Sequence, residues 1–387
     1  MYIINKKPAD INWAWMLHPN YNMIIESGQT EMNITIFGYP QTGKTGFFLL
    51  VSGSAPAAEA ADGRREASLR TVHVPDPRLE RIAALHPDKK KITASFDLVD
   101  LAGISYGEVK NSHLLSHLRK SDGLVHVVRA FRNERVPNQR GRISPAEDIQ
   151  YMEEELVLAD LLSIENRLER LARDLKKIKN PEFEKEHGLL QRIKPCLESG
   201  QSLRSLSLSP DEEKTLRSFA FLSLKPLLHV INLDETEASQ AGDPAAYFSL
   251  PPGKANVLGF CGAIESEIAG LEPEEMASFL KEYGLPGLIR DRFAELVIPF
   301  LGLVTFYTIG NDEVRAWTVC RGSPAGRAAG EVHTDMEKGF IRAEVMSWQT
   351  LVQHGSLKSA REAGAMRLEG RDYVIQDGDV VYFRFSK

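Results

Sequence analysis

Cysteine is scarce. The 387 residues include three, Cys196, Cys261 and Cys320, far apart and with no Cys-x-x-Cys pair or histidine cluster beside them. An odd number of scattered thiols excludes a disulfide framework and a cysteine zinc site, and fits reduced thiols in a cytoplasm. No apolar run approaches the roughly 18 residues of a membrane span, and the start lacks the charge, apolar stretch and cleavage site of a signal peptide. Excess positive charge is also missing: 47 Lys and Arg stand against 53 Asp and Glu, a net charge of −6. That does not favour wholesale nucleic-acid binding, so any such contact would have to come from a local patch. Neither a membrane nor DNA is expected as a partner. What remains is an ordinary globular composition, 43% hydrophobic and 26% charged, in a chain long enough for two or three domains.

Residues 1–31 carry Trp13, Trp15 and Met16 but no clean element. No function is placed on them, and Met32 is a candidate start. From Asn33 the pattern is legible. Ile34, Ile36 and Phe37 form a short strand that runs into Gly38-Tyr39-Pro40-Gln41-Thr42-Gly43-Lys44-Thr45, and Gly46 and the apolar stretch from Phe47 to Val51 open a helix. This is the G-x-x-x-x-G-K-[ST] loop in its strand-loop-helix setting. Gly38 and Gly43 let successive N–H groups surround a β-phosphate, with Gln41, Thr42 and Gly46 in the same cradle, and the helix adds its positive end. Lys44 supplies a point charge between the β- and γ-phosphates, and the Thr45 hydroxyl is placed to ligate Mg²⁺.

Four further apolar runs read as parallel strands buried on both faces: 96–99, 124–131, 226–231 and 257–260. The first ends in Asp100-Leu101-Ala102-Gly103. Asp100 can hold the Mg²⁺ through water, and the Gly103 N–H can meet the γ-phosphate and sense its loss. Ile104 stands where Ras-like GTPases keep a water-orienting glutamine, which an aliphatic side chain cannot replace. His126 is one candidate for that role, and a packed sheet histidine is the equal alternative. After the strand ending at Ile231 the chain reads Asn232-Leu233-Asp234-Glu235, where guanine-specific proteins carry N-K-x-D. Leu233 and Glu235 break the guanine clamp, while Asn232 and Leu233 still offer a purine contact. Cys261-Gly262-Ala263 forms the expected last wall of the base pocket.

Together with 74–79 (VPDPRL), His126-Val127-Val128-Arg129, 313–318 (EVRAWT), His333-Thr334-Asp335 and 337–343 (EKGFIRA), these motifs resemble the YchF or Obg-like ATPases of the Obg group, from Met32 to Lys387. The resemblance implies ATP preferred over GTP, Asn232 and Leu233 as base contacts, Gly43, Lys44 and Thr45 as phosphate and Mg²⁺ contacts, and His126 as a catalytic histidine. It also implies a ribosome or ribosomal RNA partner and a role in translation or stress regulation. The chain departs from the family at Gln41, where Asn is usual, and between Gly53 and Thr71, where a flexible Ala-rich composition replaces the switch I segment and its Mg²⁺-contacting threonine. The switch II stretch after Gly103 is short and lacks the family's glycines.

The stripe Val157, Leu161, Ile164, Leu168, Leu171, Leu175 and Ile178 marks a long helix, broken at Asn180-Pro181 and answered by Phe183, Leu190, Ile193 and Leu197. An antiparallel helical hairpin results. Its tip, Arg167 to Lys179, is basic and reads either as an RNA contact or as a solvated face. Ser209 to Glu212 is a capping box that returns the chain to the nucleotide domain. Beyond it come short strands at 305–308 and 314–319, a Pro324-led helical turn and a final hairpin from Tyr373 to Phe385 turning at Asp377-Gly378. The resemblance identifies this module as a TGS domain of β-grasp shape.

The expected fold is therefore α/β: a P-loop NTPase domain (32–140 and 224–302) with an inserted helical hairpin (141–223) and a C-terminal α+β TGS domain (303–387). The expected activity is a cytoplasmic, Mg²⁺-dependent switch ATPase. An Obg-group GTPase, a non-hydrolysing nucleotide-binding scaffold and an RNA-binding protein are the alternatives.

Overall fold

The structure, a computed structural model, describes residues 32–53, 67–109, 114–138, 140–250 and 256–386. Residues 1–31 and most of the Ala-rich segment before Thr71 lie outside the described residues.

Strand β1 (Met32–Phe37) pairs in parallel with β4 (Ser95–Asp100) on one side and with β5 (Gly123–Arg129) on the other; β6 (Leu227–Asn232) and β7 (Asn256–Phe260) continue the parallel sheet beyond β5. An antiparallel edge strand, β2 (Ser68–His73), completes the order β2-β4-β1-β5-β6-β7. Such a sheet must be covered on both faces. On one face Ile34, Ile36, Leu98 and Val125 pack under α1 (Lys44–Ser52) and the helix Ile289–Phe300. On the other, Phe37 and Leu124 meet Leu118 of α3 (Leu115–Lys120) and Met152 and Leu156 of α4 (Pro145–Leu175). Those two α4 residues precede the hydrophobic stripe, so the helix starts earlier than the stripe implies and its first turns lie on the nucleotide sheet.

The rest of α4 pairs with α5 (Pro181–Glu198) through Ile164, Leu171, Leu190 and Ile193. Pro181 at the first helical position and the Asn180 side chain, which accepts from Glu182 N at 2.9 Å, start the return helix. Ile178 is exposed beyond the end of α4 rather than in its stripe. The Ser209–Glu212 capping box opens α6 (Pro210–Leu216).

A second six-stranded sheet has the order β11-β10-β12-β8-β9-β3. Five of its strands are C-terminal: β8 (Leu303–Ile309), β9 (Glu313–Cys320), β10 (Phe340–Ser347), β11 (Arg367–Glu369) and β12 (Asp379–Phe385). The sixth, β3 (Lys90–Ile92), comes from the nucleotide half of the sequence and pairs in parallel with β9. It follows α2 (Pro77–Ala83), whose Leu79 and Ile82 are buried with Tyr307 and Val314. The chain thus leaves the first sheet after β2, contributes a helix and a strand to the second, and returns as β4.

The expected final hairpin is corrected. Residues 373–376 do not pair with β12, which instead lies between β10, antiparallel, and β8, parallel through Val380 and Tyr307. The reason is visible in its side chains: Val380 faces one core and Val381 and Phe383 the other, as a strand buried on both faces requires. Asp379 ties down the preceding loop, accepting from Tyr373 Oη and from Gln376 N at 2.9 Å each.

Candidate functional site

Strand β1 delivers the chain into the phosphate loop, and Gly43 (φ 94°) hands it to α1. The loop is knotted from inside. Thr42 Oγ1 donates to Tyr39 O at 3.2 Å, and Lys44 Nζ reaches back to the same carbonyl at 2.7 Å. A side chain at Gly43 would collide with the Asn232 amide, so the residue must be glycine for space as well as for its positive φ. Lys44 is only 7% exposed. Burial pushes its pKa down to about 8, partly offset by the Asp100 carboxylate.

Asp100, at the end of β4, accepts from the Thr45 hydroxyl at 2.8 Å through Oδ2, while its Oδ1 is buried with no hydrogen-bond partner. Burial raises the carboxyl pKa, and the Thr45 bond and Lys44 pull it back. A hydroxyl and an orphaned carboxylate oxygen beside an open cavity are a donor set for a hard, oxygen-seeking cation. These residues fit Mg²⁺.

The cavity measures about 650 Å³ and is lined by Gln41, Lys44, Thr45 and Asp100, with Gly103 on one side and Ser68 to Arg70 of β2 on the other. The β2 wall carries no motif, so sequence reasoning misses it; a short polar strand on an edge shows neither a clean period nor a signature. Gly103 sits where a Cβ would come within 2.7 Å of Pro40 Cα, so the turn and the phosphate loop are in van der Waals contact through a glycine. Ile104 donates its N–H to Gly38 O at 3.1 Å and is 3% exposed among Tyr39, Leu101 and Met152. Its aliphatic side chain serves that core.

His126 lies inside the sheet, with its Nε2 buried and without a hydrogen-bond partner among the described residues. It is fully buried, with Nδ1 2.9 Å from His229 Nδ1 and its ring against Phe37 and Tyr39. His229 Nε2 lies 3.3 Å from Glu153 Oε1, and Glu153 in turn pairs with Arg204 at 2.6 Å. Burial, then His229 and Lys44, hold the His126 pKa well below the usual imidazole value, so the ring is neutral at pH 7. It does not line the phosphate cavity.

At the base side, Asn232 is spent on the scaffold: Nδ2 donates to Thr42 O at 3.2 Å and Oδ1 accepts from Gly262 N at 3.0 Å. Leu233 and Cys261, expected at the base, turn inward; they are 2% and 0% exposed in a core with Ala238 and Ile264. Glu235 and Ala263 are exposed. Of these six residues the structure knits Asn232 and Gly262 to the phosphate loop and leaves Glu235 and Ala263 at the surface.

Among the described residues no helix is long and apolar enough to cross a membrane. Residues 303–386 match the family model YchF-GTPase_C, described as a protein of unknown function (DUF933). The chain is similar to the ribosome-binding ATPase YchF of Bacillus subtilis (strain 168), 37% identical over 91% of this chain and 98% of that protein. It is likewise similar to the protein of the same name from Haemophilus ducreyi, 39% identical over the same shares. Obg-like ATPase 1 of Oryza sativa subsp. japonica is 31% identical over 95% of each chain. Among solved structures, that of the Schizosaccharomyces pombe YchF GTPase superposes with a TM-score of 0.76 at 25% identity, covering 93% of this chain and all of that one.

Proposed function

Since this chain belongs to the YchF and Obg-like ATPase family, we propose that it is a Mg²⁺-dependent P-loop ATPase that binds and slowly hydrolyses ATP as a conformational switch on cytoplasmic ribosomes. The observation that carries this reading is the convergence of Lys44, Thr45 and Asp100 on one cavity walled by Gly103. Lys44 and the loop N–H groups from Gln41 to Gly46 bind the phosphate chain, and Gly103 meets its γ end. Thr45 and Asp100 are the residues that would hold Mg²⁺, which when bound neutralises phosphate charge.

Hydrolysis in this reading rests on positioning and charge neutralisation, because Ile104 is packed away and His126 is sealed inside the sheet. A low intrinsic rate follows. ATP is favoured over GTP because the guanine clamp lacks its lysine and aspartate: Leu233 faces the core and Glu235 is exposed. Residues 303–387 are read as a TGS domain and 141–223 as the helical insertion, both as docking elements for the ribosome. Calorimetric titration with non-hydrolysable ATP and GTP analogues, with Lys44→Ala as control and phosphate release measured in parallel, tests the reading. ATP-selective binding lost in the variant supports it; equal GTP binding or no phosphate release overturns it.

A further inference from the structure

The turn after Gly103 is fastened to the base of the helical hairpin, and one carboxylate makes the joint. Glu155 of α4 accepts from Gly107 N at 2.8 Å through Oε1 and from Val109 N at 3.0 Å through Oε2. The Tyr39 hydroxyl of the phosphate loop lies 3.4 Å from the same Oε1. Around this joint the Tyr39 ring stacks on Tyr106 with centroids 3.5 Å apart, and Tyr106 Oη donates to Asp148 Oδ1 at 2.9 Å. Arg140 closes the outside, 3.3 Å from Asp148 and over the Tyr106 ring at 5.1 Å.

The joint sits where two mechanical units meet. Met152 and Leu156 of α4 share a core with Tyr39, Ile104 and Val109, whereas Ile164 and Leu171 farther along belong to the hairpin. Because α4 is one continuous helix of 31 residues, about 46 Å long at 1.5 Å per residue, a displacement of the hairpin is carried to Glu155. The turn it would move contacts the phosphate loop through Gly103 and Pro40 and through Ile104 N to Gly38 O. Because the Ile104 side chain is packed in the core and cannot orient water, the backbone conformation of this turn is a lever on the rate.

We infer that Glu155 is a positioning residue for hydrolysis: its carboxylate holds the 103–109 turn in the conformation that meets the γ-phosphate, and makes that conformation depend on how the hairpin is seated. The inference rests on the ATPase reading above. It gives the hairpin a second use beyond docking, since whatever engages the hairpin also sets the hydrolysis rate.

The test compares full-length wild type, Glu155→Ala and Glu155→Gln by single-turnover hydrolysis of Mg²⁺-ATP, calorimetry with a non-hydrolysable ATP analogue, and hydrogen exchange. Glu155→Ala is expected to hydrolyse at least tenfold more slowly with analogue affinity within twofold of wild type, and to exchange the Gly107 and Val109 amides faster while the central sheet is unchanged. Glu155→Gln keeps one carbonyl acceptor and falls between, and it carries the test should the alanine variant fail to fold. An active wild type matched by variants of unaltered rate would overturn the inference and leave the ATPase reading standing. So would variants in which affinity and rate fall together. A wild type that binds the analogue but releases no phosphate removes the ATPase reading, and the inference with it.

Discussion

Arg78, in the first turn of α2, meets Asp377 at 2.6 Å across 299 residues of chain. The same guanidinium is held by Asp76 at 3.0 and 3.1 Å and lies over the Tyr307 ring, whose hydroxyl donates to Asp76 at 2.5 Å. Asp377 also accepts from Thr305 N at 2.9 Å. The strands on either side of this segment, β2 and β4, both line the phosphate cavity. The charged clamp therefore fixes α2 to the C-terminal sheet, on the excursion of chain that links two strands lining the cavity.

Arg78→Ala leaves the Asp76 carboxylate, 9% exposed, with the Tyr307 hydroxyl and the backbone N–H of residue 78 but without its cation. It is expected to lower stability by roughly 2–3 kcal/mol, below the range for a fully buried pair because Arg78 is partly exposed. Asp377→Ala, at the more exposed end, should cost under about 1 kcal/mol. Urea unfolding midpoints at fixed m-value decide between these magnitudes; equal effects would mean the clamp is a surface pair.

Removal of the proposed Mg²⁺ ligands should separate metal-dependent from metal-independent binding. In Asp100→Asn or Thr45→Ala, analogue affinity in Mg²⁺ is expected to fall at least tenfold, about 1.4 kcal/mol, to the level wild type shows in EDTA. Affinity in EDTA itself should change little. Calorimetry with and without the chelator gives both numbers.

Lys44 makes nucleotide binding depend on pH in a stated direction. Its pKa in the free protein is pushed down to about 8, and a bound phosphate chain restores the charged form, so binding takes up a proton above pH 8. Affinity is full below pH 8 and weakens as pH rises through it, by up to about tenfold per unit. For folding the sign is the reverse: the depressed lysine costs stability below pH 8, and the cost is relieved as pH rises from 8 toward the unfolded value of 10.5. Titrations in buffers of different ionisation enthalpy should detect the proton uptake directly.

Asn232 and Leu233 should respond differently despite being neighbours. Asn232→Ala unlinks Thr42 O from Gly262 N and is expected to weaken ATP and GTP analogues alike, by roughly tenfold or 1.4 kcal/mol. Leu233→Ala opens a core cavity costing about 2–4 kcal/mol of stability, with analogue affinity within twofold. A large affinity loss in Leu233→Ala would place its side chain at the base after all.

Much of this molecule is written in local patterns. The phosphate loop, the Asp100 turn, the parallel strands and the two hairpin helices each follow from a motif or a period within some twenty residues, because backbone geometry and helix caps are decided by near neighbours. The final hairpin failed for the opposite reason: alternation says that 379–385 is a strand but not which strands it joins. The inward turn of Leu233 and the paired burial of His126 with His229 were equally invisible, since each depends on what another segment places opposite.

By itself, then, the sequence determined the chemistry offered: a lysine, a hydroxyl, a carboxylate and a glycine at spacings that suit a nucleotide and its cation. Only the tertiary structure decided who shares a wall. It set β2 across the cavity, gave β3 to the second sheet, joined Arg78 to Asp377 and hung the 103–109 turn from Glu155. Such pairings are between residues tens to hundreds of positions apart, where burial and hydrogen-bond satisfaction choose the partner and no local period encodes the choice.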